Sequence, residues 1–557
     1  MAPFQDCVEI GQVTGLMCSY NAVNGVPSCA NHWMLETVAR GQWGFDGYIT
    51  SDCEAEADVF TNHKYTKTPE EAVLAILEAG TDVDCGSFLT KYTASALNKS
   101  IITEALIDKR LSKLFRVRFR LGHFDPAGPL QQIPPSAVCT PDAIKLAREG
   151  AIQGSVLLKN QDNFLPLNEQ RISSLAVIGP NSNLSQKIAG YYGGDKPCGL
   201  KFWNAVDAMA QYVPNTATVM GVPSVTSSDT SGIPAAVEAA KKADMVVLAV
   251  GQDLTIEREG QDRSNISLSD AQQQLINAVV DASSKPVLVL ILTAGAVDIS
   301  FMKENKKIGA IIHAGQPSVT ILGVGDLVFG ERSPAGRMVQ TTYPDSFVNQ
   351  ISIFDMNMRP GNSSWPRPDC NSSPCPHGKN PGRTHRFYTG ETVIPFGFGL
   401  SYTTWKYELV SGPGLRSENN AVLDASPVHG MLSAARGAGR PEFPELETAM
   451  KPLTTFAVNV TNTGKFDADD VVLGFLTPPQ AGQNGVPIQS LFGFERVHVK
   501  AGQTVTVYLA AGYKDFTLVS EEGHRNVGLG QYKAHFGVRE SKQHGMGFAE
   551  TQHFTLE

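Results

Sequence analysis

Apolar residues in the first 125 positions alternate between two periods. Thr14 to Tyr20 and Gly47 to Thr50 are short apolar runs of strand length, the second entered through an Asp-Gly pair and followed at once by Ser51 and Asp52. Glu70 to Gly80 carries Ala72, Val73, Ile76 and Leu77 at helical spacing, and AGTDVDCG after it predicts a strand end and a loop. Ile101 to Leu121 predicts a long amphipathic helix with Ile102, Leu106, Leu114 and Phe115 on its apolar side. This βαβα order builds parallel sheets and barrels. About three strands are visible, where a closed barrel takes eight.

After a Pro-rich joint, residues 141–345 predict a second α/β unit. Its strands are Ser155–Lys159, Leu175–Ile178, Met245–Gly251, Val287–Thr293 and Ala310–Ala314, with helices at Ile233–Lys242 and Ser269–Ala282. The strands are apolar on both faces, as parallel strands covered by helices should be. Residues 346–405, rich in Pro, Gly, Asn and Arg, predict ordered wrapping loops that end in PFGFGLSYT. Residues 410–450 are polar and weakly periodic, which predicts a linker or insert. From Thr454 alternation returns (Phe456, Val458, Val460; Val505, Val507, Leu509; Tyr532, Ala534, Phe536) and predicts an antiparallel β-sandwich. The expected domains are 1–125, linker 126–140, 141–405, linker or insert 406–450, and 451–557.

Chemistry has two natural places. Asp52 ends a strand in a β/α series, where barrels and open sheets carry their active sites. A carboxylate there can act as nucleophile, base or metal ligand, or simply cap the next helix. Glu54, Glu56 and Asp58 follow closely; no His or second carboxylate cluster stands at ligand spacing, so they predict a solvated helix face rather than a metal site. The second place is GQDLTIEREGQDR, residues 251–263, where Asp253, Glu257, Glu259 and Asp262 interleave with Arg258 and Arg263 after a buried strand. A surface loop of paired charges is the plain alternative. Asp82 and Asp84 could face an active site or serve as caps. His313 is expected to be a core histidine, and GVGDLV at 323–328 to serve helix packing. No Gly-x-Ser-x-Gly elbow, HExxH or Walker loop occurs.

The net charge of −9 argues against a nucleic-acid partner and suits a neutral one such as a sugar. No apolar run reaches the roughly 18 residues of a membrane span; the longest, Pro286 to Ala296, predicts a buried strand. Nine cysteines occur, with no zinc-finger spacing, and six Asn-x-Ser/Thr sequons favour secretion weakly. MAPFQDCVEIG shows no basic segment followed by an apolar core, so no signal peptide is visible.

GLMCSYNAVNGVPSCANHWMLETVARGQWGFDGYITSDCEA resembles the nucleophile region of family 3 glycoside hydrolases. SVLLKNQDNFLPL, EGQDR, FGERSPAGR and PGRTHRFYTGETVIPFGFGLSYT continue the resemblance in order. The family likeness implies a multidomain α/β protein: part of a (β/α)8 barrel, an α/β sandwich and a C-terminal fibronectin type III-like β-sandwich. It implies that Asp52 is the nucleophile and Glu257 the acid/base, with Glu259 as runner-up, and that Tyr20 touches the sugar. Cys53 stands where β-glucosidases of the family usually have Trp. With RTHRFYTGET, it tilts the substrate towards xylose or arabinose.

The activity implied is a retaining exo-β-xylosidase acting on xylo-oligosaccharides, extracellular in its full-length form, with no metal or organic cofactor. A β-glucosidase of the same family, or a non-catalytic carbohydrate-binding remnant, is the alternative. Retention requires the two carboxyl groups about 5–5.5 Å apart. The family's barrel is longer at its front, so the likeness implies an N-terminally truncated barrel whose activity as it stands is doubtful. Cys18 with Cys29 and Cys370 with Cys375 are expected pairs on proximity alone; nothing fixes the oligomeric state.

Overall fold

In the computed structural model, every residue is described except 184–202, 318–319, 414–420, 440–443, 521 and 540–545. The chain divides into two compact units: residues 1–134 with 429–451, and residues 135–428 with 452–557.

The first unit opens with helix α1, Ala2–Glu9, followed by strands β1, Gly15–Cys18, and β2, Tyr48–Ser51. The two strands run parallel, Gly15 opposite Tyr48 and Cys18 opposite Ser51. A third segment joins through a parallel bridge from Thr50 to Val83. Helices α2, Ala55–Thr61, α3, Pro69–Ala79, α4, Phe88–Asn98, and α5, Glu104–Arg120, follow these segments. Helix α3 begins where its local chemistry dictates: Thr68 Oγ1 accepts the Glu71 N–H at 3.2 Å, and Glu71 in turn accepts the Thr68 N–H, a reciprocal cap with Pro69 at the first position. Gly80, at φ +114°, ends it. Its predicted apolar stripe, Ala72, Val73, Ile76 and Leu77, is buried.

Helix α5 differs from expectation. Phe115 is 38% exposed and Phe119 65%, while Arg110, at 2%, is buried. The guanidinium goes inside because its partners are there. It meets Glu36 at 2.7 Å and Asp82 at 3.3 Å, and Asp82 also takes Arg40 at 2.6 Å and the Ile49 N–H at 2.7 Å. Burial raises the Asp82 carboxyl although both arginines pull the other way. Asp82 is thus a structural anchor for β2, not a group facing a site.

The second unit holds a six-stranded sheet of β3, Val156–Asn160, β4, Leu175–Ile178, β5, Thr216–Val219, β6, Met245–Gly251, β7, Val287–Leu292, and β8, Ile308–Gly315. Its order is β3-β8-β7-β6-β4-β5. The strands from β8 to β5 pair in parallel; β3 runs antiparallel to β8. Side chains of β6 alternate between two cores, Val246, Leu248 and Val250 on one face and Met245, Val247 and Ala249 on the other. That two-sided burial explains why its sequence is apolar throughout. Strand β5, TATV, escapes the apolar pattern because it is a polar edge strand. In the helix Leu322–Val328, Gly323 and Gly325 sit against Arg148 and Ala208 backbone carbonyls closer than any Cβ tolerates, so this pair serves packing.

The same unit carries a β-sandwich. One sheet comprises Trp405–Ser411, Pro452–Asn462 and Thr504–Gly512. The other runs Ala421–Leu423, Gly547–Leu556, Gly530–Arg539, Ala468–Thr477, Ser490–Val499. Phe456, Phe536, Phe554 and Tyr532 fill its core. All pairings are antiparallel except Ala421–Leu423 with Gly547–Leu556.

The expected linker or insert, residues 406–450, is mostly structured. Besides the two strands just named it holds the helix Ser426–Gly437, where Val428, Met431, Leu432 and Ala435 are buried at helical spacing. Its Gly, Ser and Arg content masked that period. Residues 429–451 belong with the first unit: Gln5 Nε2 donates to the Pro444 carbonyl at 2.9 Å, and the Leu446 N–H donates to Glu9 at 3.0 Å.

Candidate active-site residues

Asp52 stands at the carboxyl end of β2, half-buried, its N–H bonded to the Cys18 carbonyl at 2.8 Å. It does not cap the next helix. That position belongs to Glu54, held in the left-handed region at φ +66°, and the Asp52 Oδ1 accepts the Cys53 N–H at 2.8 Å instead. Three strand ends converge here. Ser51 donates its N–H to Val83 at 2.9 Å, Glu54 donates to Cys85 at 2.6 Å, and Cys85 donates to Ser51 Oγ at 2.9 Å.

Tyr20 belongs to the same cluster: its hydroxyl donates to the Cys53 carbonyl at 2.8 Å, and its own carbonyl meets His63 Nε2 at 2.7 Å. The structure therefore brings Tyr20 and Asp52 together. A disulfide joins Cys53 to Cys85, a pair that spacing alone did not suggest. The two expected pairs, Cys18–Cys29 and Cys370–Cys375, are also formed, and Cys139 is disulfide-bonded. Glu56 departs from expectation. It is fully buried rather than solvated, and Asp84 beside it caps α4 through the Leu89 N–H at 2.8 Å.

In the second unit, Glu257 lies in the loop after β6. Its carboxylate pairs with Arg263 at 3.6 Å, one oxygen buried without a hydrogen-bond donor, while its side chain keeps 38% exposure. Arg263 is fixed by Gln252 at 2.7 Å and the Ala296 carbonyl at 3.1 Å. Gly295 leaves the space: a Cβ there would lie 2.5 Å from the guanidinium and 3.2 Å from the Glu257 oxygen. Glu259 sits on the exposed turn between Arg258 and Gln261. His313 lies within β8, where burial pushes it down to about 4 and keeps it neutral. Among the described residues no three His, Cys, Asp or Glu side chains gather as a metal site, and no helix is long and apolar enough to cross a membrane.

Residues 1–117 match the glycosyl hydrolase family 3 N-terminal domain, 155–402 the family's C-terminal domain, and 470–539 a fibronectin type III-like domain. The chain belongs to glycosyl hydrolase family 3. It is 38% identical over 549 residues to β-D-xylosidase 1 of Arabidopsis thaliana, covering 96% of this chain and 67% of the relative. It is also 38% identical over 544 residues to β-xylosidase/α-L-arabinofuranosidase 1 of Medicago sativa subsp. varia, covering 96% and 66%. A solved structure, the family 3 exo-β-xylosidase XlnD in complex with a xylobiose aziridine activity-based probe, superposes with TM-score 0.84 at 31% identity, covering all of this chain and 67% of that one. These relatives put the chain in the β-xylosidase branch of the family. The chain spans about two thirds of the length of the curated relatives it matches.

Proposed function

We propose that the protein is a retaining exo-β-xylosidase in which Asp52 is the nucleophile and Glu257 the acid/base. The observation that carries this reading is the setting of Asp52. It is a half-buried carboxylate at the carboxyl end of a parallel strand, oriented by the Cys53 N–H and flanked by Tyr20. Asp52 attacks the anomeric carbon through an oxocarbenium-like transition state while Glu257 protonates the leaving oxygen; Glu257 then activates water to release the sugar from its ester with Asp52. Glu257 suits the second role better than Glu259, because its carboxylate is held by a fixed arginine whereas Glu259 rides on an exposed turn. Tyr20 is read as a sugar contact. No cofactor enters this chemistry.

We read residues 1–125 as part of a (β/α)8 barrel; the parallel pairing of β1, β2 and the Val83 segment, each followed by helix, supports that. The substrate is a non-reducing-end xylosyl unit of a xylo-oligosaccharide. Cys53, closed into a disulfide directly after Asp52, supports a pentose over glucose. The name of the Medicago relative favours arabinofuranosides as a second substrate class. An extracellular, oxidising location agrees with the disulfides Cys18–Cys29, Cys53–Cys85 and Cys370–Cys375 and with the disulfide-bonded state of Cys139.

The test is labelling with a xylose-configured aziridine, followed by peptide mapping. An adduct on Asp52, absent from Asp52→Ala, supports the reading; an adduct elsewhere, or none together with no release of p-nitrophenol from its β-xyloside, rejects it.

A further inference from the structure

Glu56 occupies the first turn of α2, four residues beyond Asp52, and no part of it is exposed. Both of its carboxyl oxygens are buried without a hydrogen-bond donor, and so is Asp84 Oδ1. Besides burial, the largest influences on Glu56 come from Asp84, Ser51 and its own backbone. Two bare carboxylates in such a place would repel, and each would lack the donor that burial makes necessary. One proton removes both penalties, because an acid can donate to a carboxylate. Asp84 has a backbone donor from outside the pair, since its Oδ2 accepts the Leu89 N–H at 2.8 Å, whereas Glu56 draws only on Ser51 and its own backbone. The proton therefore belongs to Glu56. Burial, reinforced by Asp84, pushes that carboxyl up to about 9.

The surroundings say what the proton is for. Ser51, the residue before Asp52, touches Glu56 and accepts the Cys85 N–H at 2.9 Å. Cys85 is covalently joined to Cys53, the residue after Asp52. We propose that Glu56 is a positioning residue for Asp52: its protonated carboxyl donates to Asp84, tying the Val83–Gly86 segment and the Cys53–Cys85 disulfide to the strand end that presents Asp52. The role of Asp52 as nucleophile rests on the function proposed above; the proton and the tie do not.

Wild type, Glu56→Gln and Glu56→Leu are compared near neutral pH. Infrared spectra should show a protonated-carboxyl band in wild type that both variants lose. Reduction of Cys53–Cys85 by a phosphine, followed by alkylation and peptide mapping, should proceed in Glu56→Gln within about twofold of wild type, because the amide still donates to Asp84. In Glu56→Leu it should be roughly tenfold faster, the rate equivalent of one lost hydrogen bond to a charged acceptor. Cys18–Cys29 and Cys370–Cys375 should be unaffected. A wild-type band that survives in Glu56→Gln, or a disulfide reduced no faster in Glu56→Leu, overturns the inference. If the Leu variant does not fold, the infrared band in Glu56→Gln decides. Loss of the xylosidase reading would leave both measurements intact.

Discussion

The hydroxyl of Tyr20 donates to the carbonyl oxygen of Cys53, 2.8 Å away, and so ties the end of one strand segment to the residue that follows Asp52. Removing it leaves a carbonyl without its partner and loosens the backbone N–H that orients the Asp52 carboxylate. Tyr20→Phe should cost about 1 kcal/mol of stability, read as a shift in urea midpoint. It should also lower kcat for an aryl β-xyloside more than it changes KM. A variant with unchanged kcat would remove Tyr20 from the site.

Arg110 should matter far more to stability than its surface-like helix suggests. Its guanidinium, 2% exposed, is shared by Glu36 and Asp82. Arg110→Ala leaves buried carboxylates short of a partner and should cost about 3–5 kcal/mol. Arg116→Ala breaks an exposed pair with Asp46 and should cost about 0–1 kcal/mol. Chemical denaturation of the two variants separates them; equal losses would contradict the buried network.

Glu257 and Glu259 should part company under amide substitution. Glu257→Gln should lower kcat on an unactivated xylobioside by about 10²–10⁴, the usual contribution of a general acid. Glu259→Gln should stay within a few-fold of wild type. The reverse ranking would transfer the acid/base role to the turn.

Glu56 also predicts a pH dependence of stability. Its carboxyl is raised from 4.5 to about 9 in the folded protein by burial first and Asp84 second. Between those values the folded state holds a proton that the unfolded state releases. Its stabilising contribution is therefore full below the unfolded value and is lost as pH rises towards 9, with a slope of at most about 1.4 kcal/mol per pH unit. Denaturation midpoints should fall across that window in wild type, and less steeply in Glu56→Gln. Parallel profiles would mean that Glu56 is ionised when folded.

Much of this was legible beforehand where one physical signal dominated. Strands buried on both faces, such as Met245–Gly251, announced themselves by apolar runs, and α3 by its apolar stripe. Asp52 and Glu257 were legible as strand-end and loop carboxylates. What stayed hidden depended on partners distant in sequence. The burial of Arg110 depends on Glu36 and Asp82, far off in the chain, and Glu56 read as solvated helix although Asp84 meets it. Cys85 gave no sign of its link to Cys53, 32 residues away. The helix Ser426–Gly437 did carry a signal, Val428, Met431, Leu432 and Ala435 at helical spacing, beneath a polar composition.

Residues 429–451 bond to helix α1 through Gln5 and Glu9, although the whole six-stranded sheet intervenes along the chain. During translation the amino-terminal portion therefore waits for its last piece. The ribosome must deliver the sheet and part of the sandwich before Pro444 and Leu446 can reach helix α1. Until that late stretch emerges, Gln5 and Glu9 lack their partners in residues 444–446, and helix α1 stays open to a chaperone for that whole interval.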